Sequence, residues 1–332
     1  MIRTRTLHRP GSSLMEVLVA FGILGIAVTS VITLFPFSAL TIGQALRDDR
    51  TTTCAAIAEG QIRDIHRRYV VEKGDQTTEP YYHFMDNPFY PQIPPQTEPC
   101  QPIGRDSTEP SYPVYVDPMG VVAGRGLFVG DSSETRIPRV DLQILRLGGV
   151  THPTMALRYC SLLDSLSFND DGVVEPAPDM RELRYNWAWM LQRPINRDRH
   201  NIRVQVVVYN NRAHLYRPPG SEAVVAADFT PGQTAIVNVP RGADVRKGSW
   251  VLDATVVGTE STPNGPAPRL IRNGEFYRVL SVTEVNGTLA LEVHKPISRA
   301  DGGALPYRGT LVTLPGVADV FEIAPLTGRT GP

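Results

Sequence analysis

Residues 17–43 contain no charged side chain, 27 positions in a row. As a helix this run is about 40 Å long at ~1.5 Å per residue. A bilayer core needs about 20 apolar residues. The run therefore predicts a membrane-spanning helix at the front of the chain. Arg3, Arg5, His8 and Arg9 precede it with no acid among residues 1–15. Positive residues before a span favour a cytoplasmic N-terminus, so everything after about residue 44 is expected outside the cytoplasm. A cleaved secretory signal has an apolar core of about 7–15 residues and closes on a small-x-small site. This run is too long and has no convincing site of that kind. A plain signal anchor explains the length and the arginines, but not Glu16. A carboxylate at the edge of an apolar helix is costly in lipid and calls for a partner.

The residues around that acid carry a resemblance. Gly11-Ser12-Ser13-Leu14-Met15-Glu16 leads into Val17-Leu18-Val19-Ala20-Phe21. This order resembles the cleavage and methylation signature of type IV prepilins and type II secretion pseudopilins. The resemblance implies removal of residues 1–11 by a prepilin peptidase that also acts as methyltransferase. The cut would fall between Gly11 and Ser12, and the new Ser12 amine would be N-methylated. Glu16 would become the fifth mature residue. It would pair with the N-terminus of a neighbouring subunit and set the assembly register. Pro36, inside the apolar run, removes one helix hydrogen bond and predicts a kink.

Beyond the span, Ile42, Leu46, Cys54, Ile57, Ala58, Ile62 and Ile65 recur near helical spacing. Charged residues from Arg47 to Asp64 occupy the other faces. This amphipathic pattern predicts a stalk that packs one face onto a globular head. The helix as a whole is expected over residues 12–72. Residues 73–137 form a loop region: ten prolines fall between Pro80 and Pro118, interleaved with aromatics, and proline both fixes φ and lacks a donor.

From residue 138 the pattern turns to β. Tyr185, Trp187, Trp189 and Leu191 alternate with Arg184, Asn186 and Ala188, which predicts a half-buried strand. Residues 202–209 should pair with it as an antiparallel hairpin. A strand over 140–147 would complete a sheet over 138–214 against which the stalk packs. Residues 215–332 read as an added β-rich module, with short strands at 234–239, 250–257, 276–285, 288–293 and 309–314. Asn286-Gly287 between two alternating runs is a type I′ hairpin signal, and the whole suggests a small barrel or sandwich. The fold class is therefore α+β: a long N-terminal transmembrane and stalk helix on an antiparallel, pilin-like sheet, followed by a small all-β module.

Functional motifs are sparse. No P-loop, G-x-S-x-G or H-E-x-x-H occurs, and the seven histidines are scattered. No cofactor or metal and no enzyme activity is expected. Asn169-Asp170-Asp171-Gly172 has the flavour of a calcium loop. Its alignment, however, puts Ser167 and Pro178 where carboxylates are needed, and a solvated turn explains it better. The net charge of −1 gives no basic footprint for nucleic acid. Three cysteines are present and no C-x-x-C pair. In an exported head Cys100 and Cys160 could form a disulfide, or both could be buried thiols.

The expectation is a minor pilin or pseudopilin in the inner membrane, with its head outside. Its expected partners are the peptidase, other pilin subunits and membrane lipid. The minor role follows from bulk, because so large a head is hard to repeat densely along a thin filament. The alternative is a single-pass anchored β-rich binding module outside any filament.

Overall fold

The structure is a computed structural model that describes residues 14–67, 113–122, 137, 139–147, 150–162, 185–192, 201–210, 212, 222–260 and 269–327. The chain divides into two units, residues 1–50 and 51–332. A single helix, α1, runs Leu14–His66 and passes through Pro36 without interruption. Its first 37 residues belong to the first unit and the rest to the second.

The described strands and short helices follow in chain order. They are β1 (Val114–Val116), α2 (Pro118–Val122), β2 (Arg139–Val140), β3 (Arg146–Leu147), β4 (Val150–Thr151), α3 (Pro153–Tyr159), β5 (Tyr185–Gln192) and β6 (Asn201–Asn210). Then come β7 (Ala223–Phe229), β8 (Ala235–Pro240), β9 (Trp250–Asp253), β10 (Val256–Glu260) and β11 (Arg269–Arg272). The last are β12 (Glu275–Val285), β13 (Thr288–Val293), β14 (Tyr307–Thr313) and β15 (Val317–Thr327).

A five-stranded sheet with order β15-β6-β5-β1-β2 lies at the centre of the second unit. The expected hairpin is present: β5 and β6 pair antiparallel from Tyr185↔Asn210 to Gln192↔Arg203. Residues 140–147 do not form one strand. Only Arg139–Val140 joins the sheet, parallel to β1, and Gln143–Leu145 turns as a 3-10 helix. The proline-rich region, expected as loop, supplies the inner strand β1 at its far end.

One face of this sheet receives α1. Cys54, Ala55, Ala58, Ile62 and Ile65 recur every three or four residues and are all buried. They share a core with Trp187, Trp189, Leu191, Val204, Val206 and Val208. Ile42, Leu46 and Ile57, expected in the stripe, are instead exposed, at 60%, 55% and 39%; Ile57 lies one step around the helix from it. Two indoles fix the helix height: Trp189 Nε1 donates to the Ala58 carbonyl at 3.0 Å and Trp187 Nε1 to Gln61 Oε1 at 2.9 Å. Buried indoles need such partners.

The other face is also covered. Tyr115, Ala188, Met190, Val207 and Tyr209 pack against Trp250, Leu252, Phe276 and Val312. These come from a closed six-stranded barrel, β12-β13-β8-β7-β14-β9. β5 is therefore buried on both faces rather than half-buried. The barrel has its own interior, built on Phe229, Ile236, Val251, Tyr277, Leu291 and Leu311. β9 separates the two cores: Val251 faces the barrel interior, while Trp250 and Leu252 face the sheet. The expected type I′ turn is formed, with Asn286 at φ 50°, Gly287 at φ 83° and Val285 opposite Thr288.

The last strand departs from the expected order. β15 leaves the barrel and pairs antiparallel with β6 as an edge of the central sheet. The barrel is thus inserted between two neighbouring strands of that sheet. Arg203 on β6 ties the parts together, reaching Glu275 on β12 and Glu322 on β15.

Candidate functional site

The sequence placed its site residues at the N-terminus and on two cysteines. Gly11 and Ser12 lie outside the described residues, as do residues 169–172, where a calcium loop was weighed. Glu16 sits in the first turn of α1 and is exposed. Cys160 is a free, fully buried thiol at the end of α3. Cys100, considered as its partner in a cross-link, lies outside the described residues. Burial pushes the Cys160 thiol pKa well up, as expected of an inert core cysteine.

The first stretch of α1 is the largest apolar surface among the described residues. Leu14, Met15, Leu18, Phe21, Ile23, Leu24, Ile26, Val31 and Ile32 are each more than half exposed, on all sides of the helix. Soluble monomers rarely leave so much contiguous apolar surface in water. The helix Leu14–Ile32 is long and apolar enough to cross a membrane. Its hydroxyls are satisfied within the helix: Thr29 Oγ1 donates to the Gly25 carbonyl and Ser30 Oγ to the Ile26 carbonyl, both at 2.8 Å. Lipid offers no alternative partner for such groups. From Leu14 to Leu46, Glu16 is the one ionisable group.

In the second unit, polar residues gather in two buried clusters that sequence reasoning missed. In the first, Arg212 grips Asp117 with both Nη atoms, at 2.8 and 2.6 Å. Arg139 lies 3.2 Å from Asp117 through Nε and bonds Glu222 through Nη2 at 3.0 and 3.1 Å. Two guanidinium groups and two carboxylates balance in charge. The guanidinium of Arg212 stacks 4.2 Å over the Tyr209 ring, and the Tyr115 and Tyr209 hydroxyls share a 2.5 Å hydrogen bond. Burial alone would raise the Asp117 carboxyl; Arg212 and Arg139 outweigh it and hold its pKa at about 2. Burial likewise pushes the Tyr209 hydroxyl up to about 12. A Cβ on Gly120 would overlap Asp117, so the glycine lets α2 close on the cluster. No sequence signal joins these residues, which come from separate segments.

In the second cluster, Asp253 accepts from Thr255 N at 3.0 Å, Asn273 Nδ2 at 2.7 Å and Tyr307 Oη at 2.7 Å, and also from Thr255 Oγ1. Burial raises its pKa, and those donors oppose the rise. Asn273 Oδ1 accepts from Ala300 N at 2.8 Å, which ties the segment before β14 to the barrel. These bonds make both clusters ties between elements. Among the described residues no three His, Cys, Asp or Glu side chains converge as metal ligands.

The edge strand β15 is blunted as well. Asp319 Oδ1 takes the Val320 N–H at 2.9 Å, and the Ala324 carbonyl accepts from Arg63 Nη2 at 2.8 Å. Pro325 and two register shifts interrupt the rest. These are common guards against strand addition.

Among the described residues, the large exposed apolar feature is therefore the first stretch of α1. No known protein family matches this chain, and no curated protein matches it either. What is established is an apolar N-terminal helix of membrane-spanning length, joined in sequence to a mostly β unit with an open sheet and a six-stranded barrel.

Proposed function

We propose that the chain is a minor pilin or pseudopilin subunit. It is cut between Gly11 and Ser12 by a prepilin peptidase, methylated on Ser12, and assembled through α1 into a type IV pilus or type II secretion pseudopilus. The supporting observation is the bare apolar helix with a single acid, Glu16, in its first turn, directly after Gly11-Ser12. The arginines of the leader hold the N-terminus in the cytoplasm and put the β unit outside.

The physics of the role follows from that acid. In lipid a carboxylate is costly to hold as a charge. Inside a bundle of α1 helices it can pair with a neighbour's N-terminal ammonium. Removing one partner of a buried pair costs roughly 3–5 kcal/mol, enough to select one axial register. The amphipathic end of α1 fits a stalk, since it carries the β unit on one face.

Mass spectrometry of the mature N-terminus, with and without the peptidase, tests the reading. A chain beginning at methylated Ser12 only when the peptidase is present is expected. A mature chain that retains residues 1–11 in peptidase-positive cells would instead favour an anchored binding module. Glu16→Gln should cut incorporation into filaments while leaving the β unit folded; normal incorporation would refute the registry role.

A further inference from the structure

In the barrel, β12 changes partners part-way along. Its residues 275–278 pair with β9, and from Val279 on it pairs with β13. His294, the residue after β13, closes this corner. Its backbone N–H donates to the Arg278 carbonyl at 3.0 Å. The Arg278 N–H in turn donates to His294 Nδ1 at 2.9 Å. An antiparallel pair normally exchanges two N–H···O=C bonds. Here an imidazole nitrogen stands where the second carbonyl would be.

We infer that this corner is an acid-sensitive latch inside the barrel, between β12 and the end of β13, held shut by the neutral His294 ring. Nδ1 can accept a hydrogen bond only while it carries a lone pair. A proton there sets N–H against N–H. The ring is exposed, so solvent protons reach it. Burial of part of the ring, then the charges of Lys295 beside it and Arg278 on β12, hold its pKa below 6.5 against the opposing Arg278 backbone contact and Asp319 on β15. The stabilisation is therefore complete above 6.5 and is lost as pH falls through the lower folded value. The ring also stands edge-on to Trp250 on β9, with centroids 5.4 Å apart. Trp250 belongs to the core between sheet and barrel, so opening the corner loosens that seam. The latch operates whether or not α1 assembles into a filament.

Hydrogen exchange of the full chain in detergent, at about pH 7.5 and about pH 5, tests it. His294→Asn keeps a side-chain acceptor that does not titrate, and His294→Leu removes the acceptor. At about pH 5 the wild-type segment 275–281 should exchange roughly threefold to tenfold faster than in His294→Asn, the range for one net hydrogen bond. At about pH 7.5 the two should match, and His294→Leu should be fast at both. Equal exchange of wild type and His294→Asn at about pH 5 overturns the latch, as does full protection in His294→Leu. Should the asparagine variant misfold, histidine NMR of the wild type decides: a His294 ring titrating at or above 6.5 also overturns it.

Discussion

The two ends of α1 share one backbone and handle their surfaces in opposite ways. Leu14–Ile32 is apolar on every side, and none of that stretch is buried within the chain. From Thr51 to His66 the helix keeps one narrow stripe of small and aliphatic residues, every member of it buried against the sheet. A stripe at spacings of three and four needs a single surface to cover it. A helix that is apolar all round needs a surrounding medium or several neighbours. The first pattern determines how the β unit folds, and the second determines where the chain resides.

Charge gives the largest expected contrast. The front of α1 carries none after Glu16 until Arg47, whereas the β unit buries charge in balanced groups. Asp117→Ala leaves Arg139 and Arg212 buried without their shared carboxylate and should destabilise the β unit by about 3–5 kcal/mol. All three tryptophans lie in that unit, at 187, 189 and 250. Urea unfolding followed by their fluorescence, on the full chain in detergent, measures it directly. In the wild type the Asp117 pKa of about 2 lies below the carboxyl group's ordinary value of 3.8. Its contribution is complete above the unfolded value and should disappear as pH falls from about 4 to about 2.

A matched pair of isoleucines comes next. Ile62→Ala opens a cavity between helix and sheet, and should cost about 2–5 kcal/mol in the same assay. Ile23→Ala removes the same atoms from the exposed end and should leave the tryptophan transition where it was. Equal losses would erase the distinction between the two ends. Leu24→Lys addresses the front end on its own terms: a cation mid-span costs about 2.5–3.5 kcal/mol of membrane insertion. Membrane-fraction yield should fall while the urea midpoint of the folded protein stays unchanged.

How much of this was legible in the sequence depended on how local the signal was. The stripe over Cys54, Ala58, Ile62 and Ile65 follows from helical spacing alone, and the Asn286-Gly287 turn from the chemistry of two residues. β5 was read as half-buried because Asn186 and Ala188 look like a wet face. Only the barrel, packed on Ala188 and Met190, makes that face dry. The return of β15 to β6 was hidden for a similar reason. Its partner is an earlier strand with the barrel between them in sequence, and periodicity says nothing about pairing over that distance. Asp117, Arg139, Arg212 and Glu222 could not be grouped at all, since each is an ordinary charged residue until the sheet and α2 bring them together. Glu16 stands out locally, but its proposed role comes from a resemblance rather than from anything within the folded chain.

Gly60 gives the smallest effect and the opposite sign. It lies inside α1 on the exposed side of the stripe, and an added Cβ there would meet nothing within 4 Å. Glycine in a helix interior costs about 0.8–1.0 kcal/mol relative to alanine, mainly through backbone entropy. Gly60→Ala should therefore stabilise the β unit by up to about 1 kcal/mol, seen as a higher urea midpoint with an unchanged slope. Gly25→Ala, equally open but at the front end, should leave that midpoint unmoved because its helix turn is not part of the unit that unfolds. A loss of stability in Gly60→Ala would mean that the outer face of the stalk end is covered after all. The division of α1 into a one-sided end and an all-round end would then have to be redrawn at that position.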